Sequence, residues 1–153
     1  MILRTAKIED LPTLLDFEQK IIEAERPMDI TLKQHEKISY YSIEKYILSK
    51  QTEVVVAEIN DEIIGSGYGQ IRDRQDFFLQ KQLGYIGFMY VKEEHRGKGV
   101  SQAIITHITN WFSTKDIEEI RLKVYEKNPR AIKAYQKTGF KKHLIEMRLN
   151  LKS

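Results

Sequence analysis

Tyr85-Ile86-Gly87-Phe88-Met89-Tyr90-Val91 and, three residues on, His95-Arg96-Gly97-Lys98-Gly99-Val100-Ser101 form the stretch from which the fold of this chain is read. The first run is apolar, aromatic and β-branched, the composition of a buried strand. Beyond the second, Val100, Ala103, Ile104, Ile108, Trp111 and Phe112 recur three or four apart, the spacing of an amphipathic helix. The join is a strand, a short basic glycine turn and a helix. The first turn of a helix holds backbone N–H groups without intrahelical partners, and the aligned peptide dipoles add partial positive charge there. Gly97 and Gly99 allow positive φ and a close backbone approach to an anion, while Arg96 and Lys98 add full charges. On these residues alone the turn is either a phosphate cradle or an ordinary solvated surface turn.

The whole chain narrows the classes to consider. Its 153 residues suit one domain with a single core, and 41% hydrophobic with 31% charged residues is the balance of a globular protein rather than a disordered one. Without cysteine there is no disulfide, no thiolate metal site and no cysteine nucleophile. The start, Met1-Ile2-Leu3-Arg4, runs straight into patterned sequence, and no apolar run reaches the roughly 18 residues of a membrane span. A cytoplasmic protein with no membrane or metal requirement is expected. The net charge of +3 is too small to indicate nucleic acid as a partner. The cations are nevertheless concentrated, with Arg121, Lys123, Lys127, Arg130, Lys133, Lys137, Lys141 and Lys142 facing only Glu126 in their stretch. Such a run is a solvated face or a site for a polyanion.

Periodicity predicts a short strand over residues 2–4, a helix over 8–25 with Pro12 in its first part, and helical pieces over 31–37 and 42–49. Residues 53–59 and 62–71 read as a hairpin around Asn60-Asp61. Gly65, Gly67 and Gly69 leave one face of its second strand bare, for tight helix packing or for a bound group. Residues 72–83 form a polar loop interrupted by Phe77 and Phe78, and 117–125 a further strand. Asn128-Pro129 opens a helix as N-cap and first residue, which Gly139 ends. A last strand over 144–151 alternates Leu144, Glu146, Arg148 and Asn150 with Ile145, Met147, Leu149 and Leu151. The order is that of an α/β (α+β) protein with a single mixed, mostly antiparallel central sheet flanked by helices on both faces. Asn128 and Tyr135 lie two helical turns apart on one face, over the small Ala131 and Ala134, so a ligand could lie along it; a cap and a half-buried aromatic explain the same pair.

Two segments together resemble the GNAT superfamily of acetyl-CoA-dependent N-acetyltransferases. Arg96-Gly97-Lys98-Gly99-Val100-Ser101 matches its Gln/Arg-x-x-Gly-x-Gly/Ala signature except at Ser101. The second match is Asn128-Pro129-x-Ala131-x-x-Ala134-Tyr135-x-x-x-Gly139-Phe140. The resemblance implies the GNAT acyl-CoA N-acyltransferase fold over residues 1–153, acetyl-CoA as cosubstrate and an amine as acceptor. It implies that the central strand splays after a bulge and that the backbone of Met89, Tyr90 and Val91 meets the pantetheine arm. Arg96, Gly97, Lys98, Gly99, Val100 and Ser101 would hold the pyrophosphate and Asn128 the pantetheine, with Arg130, Lys133 and Lys137 as candidates for the 3′-phosphate. Tyr135 would give a proton to the leaving sulfur, and a backbone N–H near Met89 would face the oxyanion. A homodimer through a sheet edge or the last strand is in keeping with such a protein.

An alkyl amine of pKa near 10.4 is only about one part in a thousand neutral at pH 7, so a base or a desolvating pocket is needed. The central strand offers no carboxylate. Glu25, Asp29 and Glu58 are candidates, each more readily read as a surface or structural group, and the resemblance also implies deprotonation through ordered water as the alternative. Glu18, Glu23, Glu25 and Asp29 make the acceptor side the more acidic one. A non-catalytic acetyl-CoA-binding module is the alternative to an enzyme.

Overall fold

The structure, a computed structural model, describes residues 1–152. Five strands form one sheet in the order β1-β2-β3-β4-β5: β1 (Ile2–Thr5), β2 (Thr52–Ile59), β3 (Glu62–Asp73), β4 (Gln82–Val91) and β5 (Ile120–Arg121). All neighbours are antiparallel except β4 and β5, which run parallel and pair at only two positions, Gly84 with Ile120 and Tyr85 with Arg121. Helices α1 (Leu11–Glu25) and α2 (Ile43–Leu48) cover one face; α3 (Val100–Thr114) and α4 (Pro129–Lys137) pack on the other.

Both faces being covered explains why Val54, Val55, Val56 and Ala57 are all buried and alternate only weakly in sequence. Val54 and Val56 join Leu14, Phe17, Ile21 and Ile43 in one core. Val55 and Ala57 join Val100, Ile104, Ile108 and Phe112 in the other. The hairpin turn takes the left-handed form its residues favour, with Asn60 at φ 50 and Asp61 at φ 64.

The three alternate glycines of β3 make room for α3. A Cβ on Gly67 would stand 2.8 Å from Ile104 Cγ2 and one on Gly69 2.5 Å from Ile108 Cγ2. The bare face is thus filled by the helix itself.

Helix α1 begins with a 3-10 turn at Ile8–Asp10 and ends at Glu25, as the periodicity predicts. Residues 31–37 are not helical. Asp29 Oδ1 accepts from Thr31 N–H, and the Gln34 amide donates to the carbonyls of Arg26, Asp29 and Leu32. Side chains so close to the backbone offer it turns in place of a helix too short to be stable by itself. The strand expected over 117–125 shrinks to Ile120–Arg121, because only these two residues find ladder partners on β4, at Gly84 and Tyr85. Residues 144–151 form no strand, and their apolar side chains are exposed. Their alternating pattern meets no sheet edge within this chain, and a strand without a neighbour has no ladder to join.

Candidate active site

A β-bulge at the middle of β4 sets up the site. Ser66 pairs with Tyr90 and Tyr68 with Gly87, so Phe88 and Met89 together oppose Gly67. Phe88 is buried and held at φ 58, a left-handed conformation that a bulky residue adopts only under constraint. Ser66 Oγ donates to Phe88 O at 3.2 Å and helps hold it. Because β5 ends at Arg121, the edge of β4 beyond Tyr85 has no strand beside it. Lys92 N–H turns inward to Ile64 O, so by strand alternation Val91 N–H and C=O turn toward this open edge. There Val91 O receives Arg96 Nε at 2.8 Å.

At the end of that edge lies the glycine turn. Gly97 and Gly99 take φ 74 and 81, and nothing stands within 4 Å of where a Cβ on either would be. Gly99 is the N-cap of α3, and the amides of Gly97, Lys98 and Gly99 find no backbone acceptor among the described residues. Open space, free amides and a helix N-terminus make an anion cradle. Val100 is buried beneath it and Ser101 half-buried, while Lys98 reaches back to Glu94 O at 3.2 Å.

At the other end of the open edge, over the bulge, is a cavity of about 270 Å³. Gly87, Phe88 and Met89 form its floor; Glu25, Tyr40, Tyr41, Tyr68, Arg72, Tyr85, Lys123 and Tyr135 stand around it. Gly87 is required there, because a Cβ would lie 2.6 Å from the Tyr68 ring. The Arg72 guanidinium stacks 3.8 Å from the centre of the Tyr85 ring. Burial pushes the Tyr135 phenol up to about 12, so it carries its proton at neutral pH. Burial likewise raises the Glu25 carboxyl above its ordinary value, only partly offset by the Tyr40 hydroxyl beside it.

The other candidate carboxylates have structural work. Asp29 is bonded to Thr31, Tyr125 and Arg148 and is held down at about 2 by these hydrogen bonds, the Thr31 pair foremost. Glu58 pairs with Arg4 Nε at 2.8 Å. Glu18 is fully buried and accepts from Ser39 Oγ and from the amides of Tyr40 and Tyr41, which fixes the segment that brings both tyrosines to the cavity. Asn128 caps α4, its Oδ1 accepting from Ala131 N–H at 3.2 Å. Gly139 at φ 101 ends the helix, with Phe140 N–H returning to Tyr135 O at 3.2 Å. The Tyr90 side chain turns away to Phe17, with ring centres 4.6 Å apart. Arg130, Lys133 and Lys137 lie on α4 and form no ion pair among the described residues.

Tyr40, Tyr41, Tyr68 and Arg72 carry no sequence signal that singles them out. They come from separate segments, and only the number of tyrosines, eight in the chain, hints at such a wall. No group of three His, Asp or Glu side chains among the described residues could hold a metal ion, and no helix is long and apolar enough to cross a membrane.

An open strand edge between an anion cradle and an acid-and-phenol cavity agrees with the comparison against known proteins, where residues 18–140 match the Acetyltransferase (GNAT) family. The chain belongs to the GNAT family of acetyltransferases. Over 59 residues it is 39% identical to the uncharacterized N-acetyltransferase YobR of Bacillus subtilis, a match spanning 37% of this chain and 24% of that protein. Among solved structures, a mutant of the BH1408 protein of Bacillus halodurans shares the fold with a TM-score of 0.89 at 20% identity, covering 99% of each chain. A predicted acetyltransferase of Clostridium acetobutylicum, solved with acetyl-CoA, has a TM-score of 0.70 at 21% identity over 98% of this chain and 96% of that one. An aminoglycoside 6′-N-acetyltransferase of Acinetobacter haemolyticus has 0.73 at 15% identity, over 98% and 97%. These likenesses establish a shared GNAT fold.

Proposed function

We propose that this GNAT protein moves an acetyl group from acetyl-CoA to a primary amine by direct attack in a ternary complex. The observation that carries the reading is that Glu25 and Tyr135 both line the cavity over the β4 bulge. The residues present fit the cosubstrate. Free amides at Gly97, Lys98 and Gly99 suit a pyrophosphate, and the edge from Met89 to Val91 suits an amide-rich arm lying as an extra strand. Arg96 and Lys98 border that cradle, Val100 and Ser101 open the helix behind it, and Tyr90 contributes to the strand's course. Asn128 has an Nδ2 group left for the pantetheine once its oxygen has capped the helix. Arg130, Lys133 and Lys137, exposed on α4, are the candidates for the 3′-phosphate.

Bound acetyl-CoA supplies the activated thioester. Glu25 accepts the proton that the amine loses as its nitrogen bonds to the acetyl carbon, and its raised pKa makes it the stronger base. A backbone N–H at the bulge, near Met89, faces the developing oxyanion. Tyr135 delivers its proton to the sulfur as the C–S bond breaks, and regains one from solvent.

The test is thiol release from acetyl-CoA across a panel of amines. Release stimulated by at least one amine is expected, and Tyr135→Phe lowers the rate about 100-fold, the contribution of one positioned acid. Absence of stimulation by any amine, with acetyl-CoA still bound, would overturn the enzyme reading in favour of a binding module.

A further inference from the structure

The charged side chains that line the cavity over the β4 bulge are Glu25, Arg72 and Lys123. The acidic acceptor side expected from Glu18, Glu23, Glu25 and Asp29 is therefore not what the cavity presents. Glu18 is engaged by Ser39 and the amides of Tyr40 and Tyr41, and Asp29 by Thr31, Tyr125 and Arg148. Glu23 is exposed and does not line the cavity. Two cations beside one carboxylate, whose charged form burial already disfavours, are a poor setting for a bare monoamine or polyamine cation. They suit a ligand that brings an anion together with its amine.

Arg72 is held ready for that anion. Strand alternation puts Tyr68, Gln70 and Arg72 on the face of β3 opposite Gly65, Gly67 and Gly69, the face on which α1 and α2 pack. Arg72 Nε donates to Gln70 Oε1 at 2.8 Å, and the Gln70 amide is itself tied to Thr52 Oγ1 at 3.3 Å. The guanidinium carbon lies 3.8 Å from the centre of the Tyr85 ring, and Nη2 stands 3.5 Å from the Tyr68 hydroxyl. Nη1 has no hydrogen-bond partner among the described residues. Neither Arg72 nor Lys123 forms an ion pair among them, whereas Arg4, Arg74, Arg121 and Arg148 each pair with a carboxylate. A guanidinium oriented by three neighbours, with its Nη1–Nη2 edge left over, is arranged to donate two parallel hydrogen bonds to a carboxylate.

The cavity also limits size. Its volume of about 270 Å³ is below the roughly 300–1,000 Å³ of sites for drug-sized ligands, and the acetyl group must share it. Amine and anion thus belong to one small molecule. We propose that the acceptor is an amino acid, a small amine whose carboxylate pairs with Arg72 while its nitrogen faces Glu25. This rests on the acetyl-transfer reading above and names the acceptor within it.

The test is thiol release from acetyl-CoA with α- and ω-amino acids, each beside its carboxamide and its decarboxylated amine. The carboxamide is the sharper comparison, because its amine is less basic, more of it is neutral at pH 7, and that by itself would speed the reaction. The wild type is nevertheless expected to use at least one amino acid with a kcat/KM about 10- to 100-fold above that of its carboxamide, chiefly through KM. Arg72→Met should bring the acid down to the level of the carboxamide. Circular dichroism and acetyl-CoA-dependent melting check the fold of the variant, and the wild-type comparison needs no variant at all. A carboxamide or plain amine used as well as the acid, or a preference that survives in Arg72→Met, would overturn the amino-acid acceptor and leave acetyl transfer standing. No release with any amine, acetyl-CoA being bound, would overturn acetyl transfer and the acceptor with it.

Discussion

Burial disfavours the charged form of the Glu25 carboxyl. Its neighbours are a tyrosine hydroxyl and the Asp29 carboxylate rather than a cation, and burial raises its pKa. An acid whose pKa is higher folded than unfolded binds its proton more tightly when folded. The fold therefore gains stability as the pH falls through that window and lacks the gain above it. Glu25→Gln is expected to melt higher than wild type at pH 8, with the difference closing toward pH 4, as read by calorimetry. The same substitution should lower acetyl transfer about 100-fold and remove the acidic limb of the rate profile, which in wild type lies above the ordinary carboxylate range. Residue type and position brought Glu25, Asp29 and Glu58 forward together. Only the contacts separate them, since Thr31, Tyr125, Arg148 and Arg4 engage the other two.

The glycines separate into two kinds at the level of elements. Those of β3 make room for α3, and those of the turn before α3 leave the open space that the proposed anion cradle needs. Gly69→Ala places a methyl against Ile108 and Phe112 and should cost about 1–3 kcal/mol in a denaturant melt. Its acetyl-CoA affinity should be nearly unchanged. Gly99→Ala meets no atom but must hold φ 81, a strain of about 1–2 kcal/mol. It should weaken acetyl-CoA binding in a calorimetric titration, because its methyl enters the cradle. The spacing of Gly65, Gly67 and Gly69 shows that one face is bare, while the identity of the filler depends on where α3 docks. Helices α1, α3 and α4 were legible because each carries its own period and end signals. The piece over 31–37 was not, since local side-chain bonds outcompete so short a helix.

The sheet of the molecule as a whole stays open along one edge of β4, where the proposed reading lays the cosubstrate. β4 is shared by two cores and paired on both sides only near Gly84 and Tyr85; past the bulge it is open toward α4. A cosubstrate lying along that opening ties the β4 edge to α3 and α4 together. Acetyl-CoA at a hundred times its Kd should then stabilise the fold by about 2.7 kcal/mol, raising the melting temperature by roughly 5–10 °C in a thermal-shift assay. A shift independent of acetyl-CoA concentration would contradict binding along that edge. By itself the sequence determined α1, α2, the hairpin of β2 and β3, the central strand with its glycine turn and α3, and the capped α4 with Tyr135, because periodicity, caps and glycines act over a few neighbouring residues. Tertiary structure alone decided that Phe88 carries the bulge, that Glu25 rather than Asp29 faces the cavity, that Tyr40, Tyr41, Tyr68 and Tyr85 wall it, and that residues 144–151 find no strand partner within the chain. Each of those depends on segments far apart in sequence meeting in space, which no local pattern encodes.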